Sequence, residues 1–313
     1  MNKPAFDPGL TQQYKGVLNR VINRDGQFNV RRVGTTWRDA NPFLYLISTT
    51  WTKFVLVVGL GYLVVNTIFA LLYVAVGSEN LRSSEPPTDW GGFATAFFFS
   101  AHTLTTVGYG NIWPRGGAAN IIAVAESFVG VLGFAIATGV VYGRFSRPSA
   151  RVGFSENALV APYQNGRSLQ FRVVNRRTNN LTDLEARLLL MTVEDTDGRP
   201  IRKYLSLELE RPTILFFPLT WTVVHPIDER SPLLGKTRED LAALQAELLV
   251  TLKAFDETFG QDVHARYSYR FDEILWGAKF APAFQVDQEG NLEVEVNRVG
   301  VTEPAQLTGV QLH

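Results

Sequence analysis

Thr105-Thr106-Val107-Gly108-Tyr109-Gly110 is a short polar run set between two long apolar ones. Glycines at 108 and 110 permit backbone angles that other residues resist, so consecutive carbonyls can line one axis. Thr106 can add a side-chain oxygen at one end of that axis. Tyr109 can brace the loop against the segment that precedes it.

Working outward, Phe54–Val76 contains no charged residue, and Ala118–Tyr142 contains one, Glu126. At about 1.5 Å per residue each can span a hydrocarbon core of about 30 Å. Gly130 and Gly133 in the second span permit either close helix approach or bending. Gly91–Leu104 is apolar and compatible with a helix but too short to cross. Thr88 or Asp89 is a suitable N-cap for it. A short apolar helix followed by irregular backbone survives at membrane depth only where protein surrounds it. In that setting the carbonyls of Thr106, Val107, Gly108 and Tyr109 can replace the water shell of a potassium ion, with Gly110 closing the loop.

Basic residues fix the expected orientation. Arg31, Arg32, Arg38 and Lys53 precede the first span; Arg144, Arg147 and Arg151 follow the second. Between the spans only Arg82 and Arg115 stand against Glu79, Glu85 and Asp89. The positive-inside rule then puts both termini in the cytoplasm, with the loop facing outward from a cell (inner) membrane. The polar opening residues carry no apolar signal segment, which agrees with a cytoplasmic start. Trp37–Lys53 mixes aromatic, apolar and charged residues and predicts an amphipathic interfacial helix beginning near Asn41-Pro42.

After Pro148 the pattern becomes short alternating runs. Leu169–Val174, Leu184–Val193, Arg202–Leu209, Ile214–Val224, Glu247–Phe255, Ala265–Phe271 and Leu292–Val296 read as strands, separated by turns such as Asp197-Gly198 and Glu289-Gly290-Asn291. Their spacing predicts an immunoglobulin-like β-sandwich. Thr237–Leu248 carries a helical period behind a capping start. The expected division is a cytoplasmic segment 1–36, an interfacial helix 37–53, a two-span pore domain 54–147 with a re-entrant helix, and a cytoplasmic β-sandwich 148–313.

The 313 residues carry no formal net charge, which gives no sign of a nucleic-acid partner. Cysteine is absent, which excludes disulfides and thiolate metal sites. His102, His225, His264 and His313 are scattered, and no nucleophile–base pattern accompanies them, so no enzyme and no cofactor are expected. A membrane-anchored sensor, with the sandwich binding a solute or partner, is the alternative from another class.

Several motifs extend beyond the loop: Asn23–Val30, Phe97-Phe98-Phe99-Ser100, Glu126–Gly130, Arg144-Phe145-Ser146-Arg147-Pro148, Ala265–Tyr269 and Glu273-Ile274-Leu275-Trp276-Gly277. With them, the chain resembles the prokaryotic branch of the inward-rectifier potassium channels. The resemblance implies a homotetramer conducting potassium passively. It implies a gate at Tyr142 and a cytoplasmic constriction at Gly260 and Gln261. An apolar ring at Tyr142 could close by dewetting.

Two departures matter. Where many relatives have Glu behind the filter this chain has His102, and Asn111 follows the final glycine, so their bracing ion pair is not evident. His102 either titrates near neutral pH or packs as a hydrogen-bonded group. Phe134 stands where strong rectifiers carry a cavity acid. Glu126, with Thr105 and His102, is expected to support the filter; a charge at mid-bilayer costs about 3 kcal/mol, so Glu126 should face protein or carry a proton. Arg31, Arg32, Arg144, Arg147 and Arg151 suit an anionic-lipid site, each worth about 1 kcal/mol near such a surface. Ordinary topology would explain them equally.

Overall fold

The computed structural model describes residues 8–13, 16, 20–36, 39, 41–84, 91–146, 150–196 and 198–307. The chain divides into two units, one spanning Val33–Arg147 and the other joining the residues up to Arg32 to those from Pro148 onward.

In the first unit, α1 (Pro42–Ser48) begins where the Asn41 side chain accepts from the Leu44 amide at 3.0 Å. Pro42 occupies the first turn, where a missing N–H costs nothing. The predicted interfacial segment therefore condenses to seven residues. Its end, Trp51-Thr52-Lys53, already belongs to α2 (Trp51–Val76), and Trp37 and Arg38 lie outside the described residues. Gly77, at φ 108°, terminates α2. α3 (Gly91–Leu104) has the predicted bounds, whereas Thr88 and Asp89 lie outside the described residues. α4 (Gly117–Phe145) is the second helix long and apolar enough to cross a membrane. Between them, β1 (Leu81–Ser83) pairs antiparallel with β2 (Ile112–Pro114). Ala70, Tyr73, Ala96 and Phe99 form a small core where α2 meets α3.

The second unit is a β-sandwich. Its strands are β3 (Val152–Phe154), β4 (Ala158–Tyr163), β5 (Gly166–Asn175), β6 (Leu181–Thr196), β7 (Arg199–Leu207), β8 (Thr213–Phe216), β9 (Thr220–Ile227), β10 (Glu247–Asp256), β11 (Gln261–Arg270) and β12 (Ile274–Trp276). One five-stranded sheet runs β11-β10-β6-β7 with β8 also on β6; the other runs β12-β4-β5-β3 with β9 also on β5. Alternation fills the space between them: Leu248, Val250 and Leu252 from β10 meet Leu169, Phe171 and Val173 from β5 in one buried cluster.

Two predictions shift here. Ile214–Val224 is two strands rather than one, because Phe217-Pro218-Leu219 interrupts it; proline cannot donate to a ladder. The helix predicted over Thr237–Leu248 stops early. α5 (Arg238–Ala243) is capped by Thr237 and Asp240, and the chain then enters β10, where Leu248 is fully buried. Smaller pairings complete the unit, β13 (Ala278–Phe280) with β16 (Thr302–Pro304), and β14 (Phe284–Val286) with β15 (Leu292–Val294).

The N-terminal arm belongs to this sandwich. Val21 and Ile22 bury against Met191, Tyr204 and Leu249, and Ile22 bridges Phe28 across a turn. At Gly26, φ is 81° and a Cβ would stand 2.9 Å from the Arg266 carbonyl, so only glycine fits there without a shift.

Candidate ion-conducting site

The loop after α3 alternates in hand. Thr106, Gly108 and Gly110 have φ of 61°, 55° and 78°, and the residues between them do not share that sign. Alternating left- and right-handed residues turn successive peptide planes the same way, so carbonyls gather on one side and amides on the other. The amides have a partner. Val107 N and Gly108 N both donate to the His102 carbonyl, at 3.0 and 3.2 Å, and Thr106 N donates to Thr103 at 3.0 Å. Those acceptors are among the last carbonyls of α3, which a helix leaves unpaired. With its amides tied back, the loop turns its carbonyls away from the helix. The carbonyl end of the α3 dipole also lies beside the loop, a sign that favours a cation.

Thr105 Oγ1 donates to the Ala101 carbonyl at 2.6 Å, so this side chain caps the helix. The Tyr109 ring stands edge-on to His102, with centroids 4.8 Å apart at 84°. His102 is thus both the acceptor for two loop amides and the ring against which Tyr109 leans.

Behind α3 lies a buried polar knot. Glu126 of α4 is fully buried and accepts from the Tyr73 hydroxyl of α2 at 2.7 Å and from Ser100 of α3. Ser100 also lies 3.1 Å from Asn66 Oδ1, and Asn66 Nδ2 donates to the Tyr62 carbonyl at 2.7 Å. All three long helices meet at this one carboxylate. Sequence reasoning misses Asn66 and Tyr73, and Ser100 enters it only as the end of the Phe97–Ser100 motif. The available signal was spacing, since Asn66 and Tyr73 stand two turns apart on one face of α2. One turn further along α4, Gly130 decides between close approach and bending. A Cβ there would sit 2.2 Å from the Leu104 carbonyl, so the glycine lets α4 touch the end of α3. Gly133 has nothing within 4 Å of that position.

Phe134 and Tyr142 are 77 % and 72 % exposed on the isolated chain, which leaves both side chains free for an axis or a neighbour. Gly260 and Gln261 lie at the tip of the β10–β11 hairpin, with Gly260 at φ 61°. The turn is held by Asp256, which is fully buried. Its carboxylate accepts from Thr258 N at 2.9 Å and from Asn179 Nδ2 at 2.8 Å. Of the basic residues, Arg31, Arg32 and Arg151 are exposed, and Arg147 lies outside the described residues. Arg144 is engaged within the chain, on the carbonyls of Leu46 and Thr49.

The family model for the inward rectifier potassium channel C-terminal domain matches residues 152–312, and an ion channel model matches residues 57–147. The inward rectifier potassium channel Kirbac3.1 of Paramagnetospirillum magnetotacticum is 36 % identical, over 89 % of this chain and 94 % of its own length. The chain belongs to the inward-rectifier potassium channels. Mammalian members are more distant. ATP-sensitive inward rectifier potassium channel 12 of Mus musculus is 29 % identical over 89 % of this chain and 70 % of its own. Inward rectifier potassium channel 4 of Mus musculus is 28 % identical over 90 % and 71 %. This inward rectifier is a membrane protein and not an enzyme, and potassium is what it conducts rather than a cofactor it keeps.

Proposed function

We propose that four copies of this inward rectifier surround one axis and that Thr106–Gly110 of each supplies one wall of the selectivity filter. The alternating hand at residues 106, 108 and 110 carries the proposal. It gives each chain a row of carbonyls, and one row cannot enclose an ion, so several copies must share the axis. Potassium then sits between rings formed by the carbonyls of Thr106, Val107, Gly108 and Tyr109. Thr105, His102 and Glu126 hold the loop from behind.

Residues 54–147 form the pore domain, with Phe134 facing the cavity and Tyr142 forming a gate where the inner helices converge. Residues 148–313 form the gating domain, and Gly260 and Gln261 a second constriction. Both termini are cytoplasmic and the channel lies in the cell membrane, supported by the basic flanks of the two spans. Anionic lipid modulates it through the exposed Arg31, Arg32 and Arg151.

The test is potassium-driven rubidium uptake into liposomes. The parent chain takes up rubidium and excludes sodium in a barium-sensitive way. Gly108→Ala, which strains a left-handed position, loses that discrimination while remaining tetrameric by crosslinking. Unaltered selectivity in that variant would remove Gly108 from the filter.

A further inference from the structure

Arg144 stands in the last turn of α4, two residues past Tyr142. Its Nη1 donates to the Leu46 carbonyl and its Nη2 to the Thr49 carbonyl, the latter at 2.7 Å. Leu46 lies in the last turn of α1 and Thr49 caps it, so these are carbonyls that the helix itself leaves unpaired. The guanidinium carbon lies 4.4 Å from the centre of the Trp51 ring and 4.7 Å from that of Phe54. Trp51 in turn packs on Phe145 at 5.3 Å. Beside it, a Cβ on Gly143 would meet Phe43 Cζ at 3.4 Å and Ile47 Cγ2 at 3.5 Å, so α1 lies directly on the end of α4.

A phosphate held by arginine needs the same planar fork that grips these two carbonyls. One N–H of each Nη is taken by these carbonyls and Nε is buried, so no accessible Nε–Nη edge is left to grip a phosphate as a fork. A cation closing a helix C-terminus is favourable in itself, and two aromatic faces hold this one in place.

We propose that Arg144 is a positioning residue that fastens the interfacial helix to the end of the inner helix. It acts on the gate through its own helix, and it is not one of the anionic-lipid ligands. The proposal rests on Tyr142 being the gate. Movement of α1 along the membrane plane is transmitted to α4 through the two carbonyls, and Tyr142 moves with it.

Lysine discriminates between the two roles. It keeps the charge that attracts lipid but cannot span both carbonyls as a fork. Rubidium uptake is measured for the parent, Arg144→Lys and Arg144→Gln in neutral-lipid vesicles and in the same vesicles with added phosphoinositide. Loss of the fork shifts uptake in neutral vesicles by about tenfold, in the same direction for both variants. The ratio of uptake between the two vesicle types stays at the parent's value in each.

Parent-like uptake by Arg144→Lys overturns the proposal. So does a ratio altered in Arg144→Gln but kept in Arg144→Lys, since the charge alone would then matter. If the Arg144 variants fail to assemble, Trp51→Leu removes a ring from the guanidinium and leaves the charge. A smaller shift in the same readout is then expected, and none overturns the proposal. Barium-sensitive, sodium-excluding uptake by the parent keeps a failure here distinct from a failure of the channel reading.

Discussion

The Tyr73 hydroxyl donates to the Glu126 carboxylate at 2.7 Å, joining α2 to α4. Neither end of this bond reaches water, for Glu126 is fully buried and Tyr73 only 1 % exposed. An acid in this position needs partners more than it needs neutral surroundings, and Ser100 supplies the other. Tyr73→Phe should therefore lower stability by about 0.6–1.7 kcal/mol, the range for interhelical hydrogen bonds in membranes. Glu126→Leu should cost more, because it leaves the Tyr73 hydroxyl a buried unpaired donor at about 1–3 kcal/mol and leaves Ser100 only the longer contacts to Asn66. Thermal denaturation of the detergent-solubilised assembly measures both. An unchanged midpoint in Tyr73→Phe would mean that the carboxylate is held without the phenol.

Gly130 and Gly133 look alike in sequence and differ in space. At Gly130 a methyl group would meet the Leu104 carbonyl at 2.2 Å, a backbone atom that cannot swing aside. Gly130→Ala should destabilise the pore unit by about 1–3 kcal/mol and displace the end of α3. At Gly133 nothing lies within 4 Å. Gly133→Ala should be neutral or stabilise by up to about 1 kcal/mol, the helical preference of alanine over glycine. Equal midpoints for the two variants would refute the distinction.

The loop was legible in the sequence because its chemistry is local, with glycines at two of the three left-handed positions. Thr106, the third, is not a residue that announces such a backbone. The spans were legible because length and apolarity suffice. The polar knot was not, since Asn66 and Tyr73 on one apolar run, Ser100 on a second and Glu126 on a third become a group only when the helices pack. In the sequence Arg144 reads like the other flanking arginines, because positive charge after a span is ordinary topology. Only folding brings the Leu46 and Thr49 carbonyls to it. Within the sandwich, Pro218 did carry the signal that divides β8 from β9. The early end of α5 had a signal of another kind, since core burial of Leu248 overrides helical period.

His225 gives a pH dependence with a definite sign. It is 3 % exposed, donates from Nδ1 to the Glu208 carbonyl at 2.6 Å and accepts at Nε2 from Ser231 at 2.8 Å. Burial pushes its pKa below the ordinary 6.5, against the pull of the Glu208 carbonyl and the nearby acids Asp228 and Glu208. The unfolded chain therefore takes up the proton first as pH falls. Stability should decline from about pH 6.5 downward until the folded state also titrates, and level off below that. His225→Gln keeps a donor and an acceptor without titrating, so that part of the slope should vanish from midpoints taken between about pH 7.5 and 5.5. A parallel slope in the variant would assign the effect elsewhere.

Glu273 gives a pH dependence of the same sign at lower pH and acts on the N-terminal arm. Arg20 and Arg24 both pair with it, Arg24 at 2.6 Å, and the Arg270 amide donates to it at 3.0 Å. Burial alone would raise its pKa. The hydrogen bonds from Arg24 and Arg270 and the charges of Arg20 and Arg24 outweigh burial and hold it below the ordinary 4.5. Its contribution is complete above that value and is lost as pH falls through the lower, folded one. Glu247 also binds the arm, through the Val21 amide at 3.0 Å, but burial raises its pKa, so protonation there is favoured by the fold and does not drive release. The chain has no cysteine, so a single nitroxide can be placed on the arm at Gln27→Cys. Its spectrum should be immobilised at neutral pH and become mobile as acid neutralises Glu273. Adding Glu273→Gln should leave the label mobile at neutral pH and remove the acid transition. An immobile label at every pH in both backgrounds would mean that burial of Val21 and Ile22 holds the arm without the ion pairs.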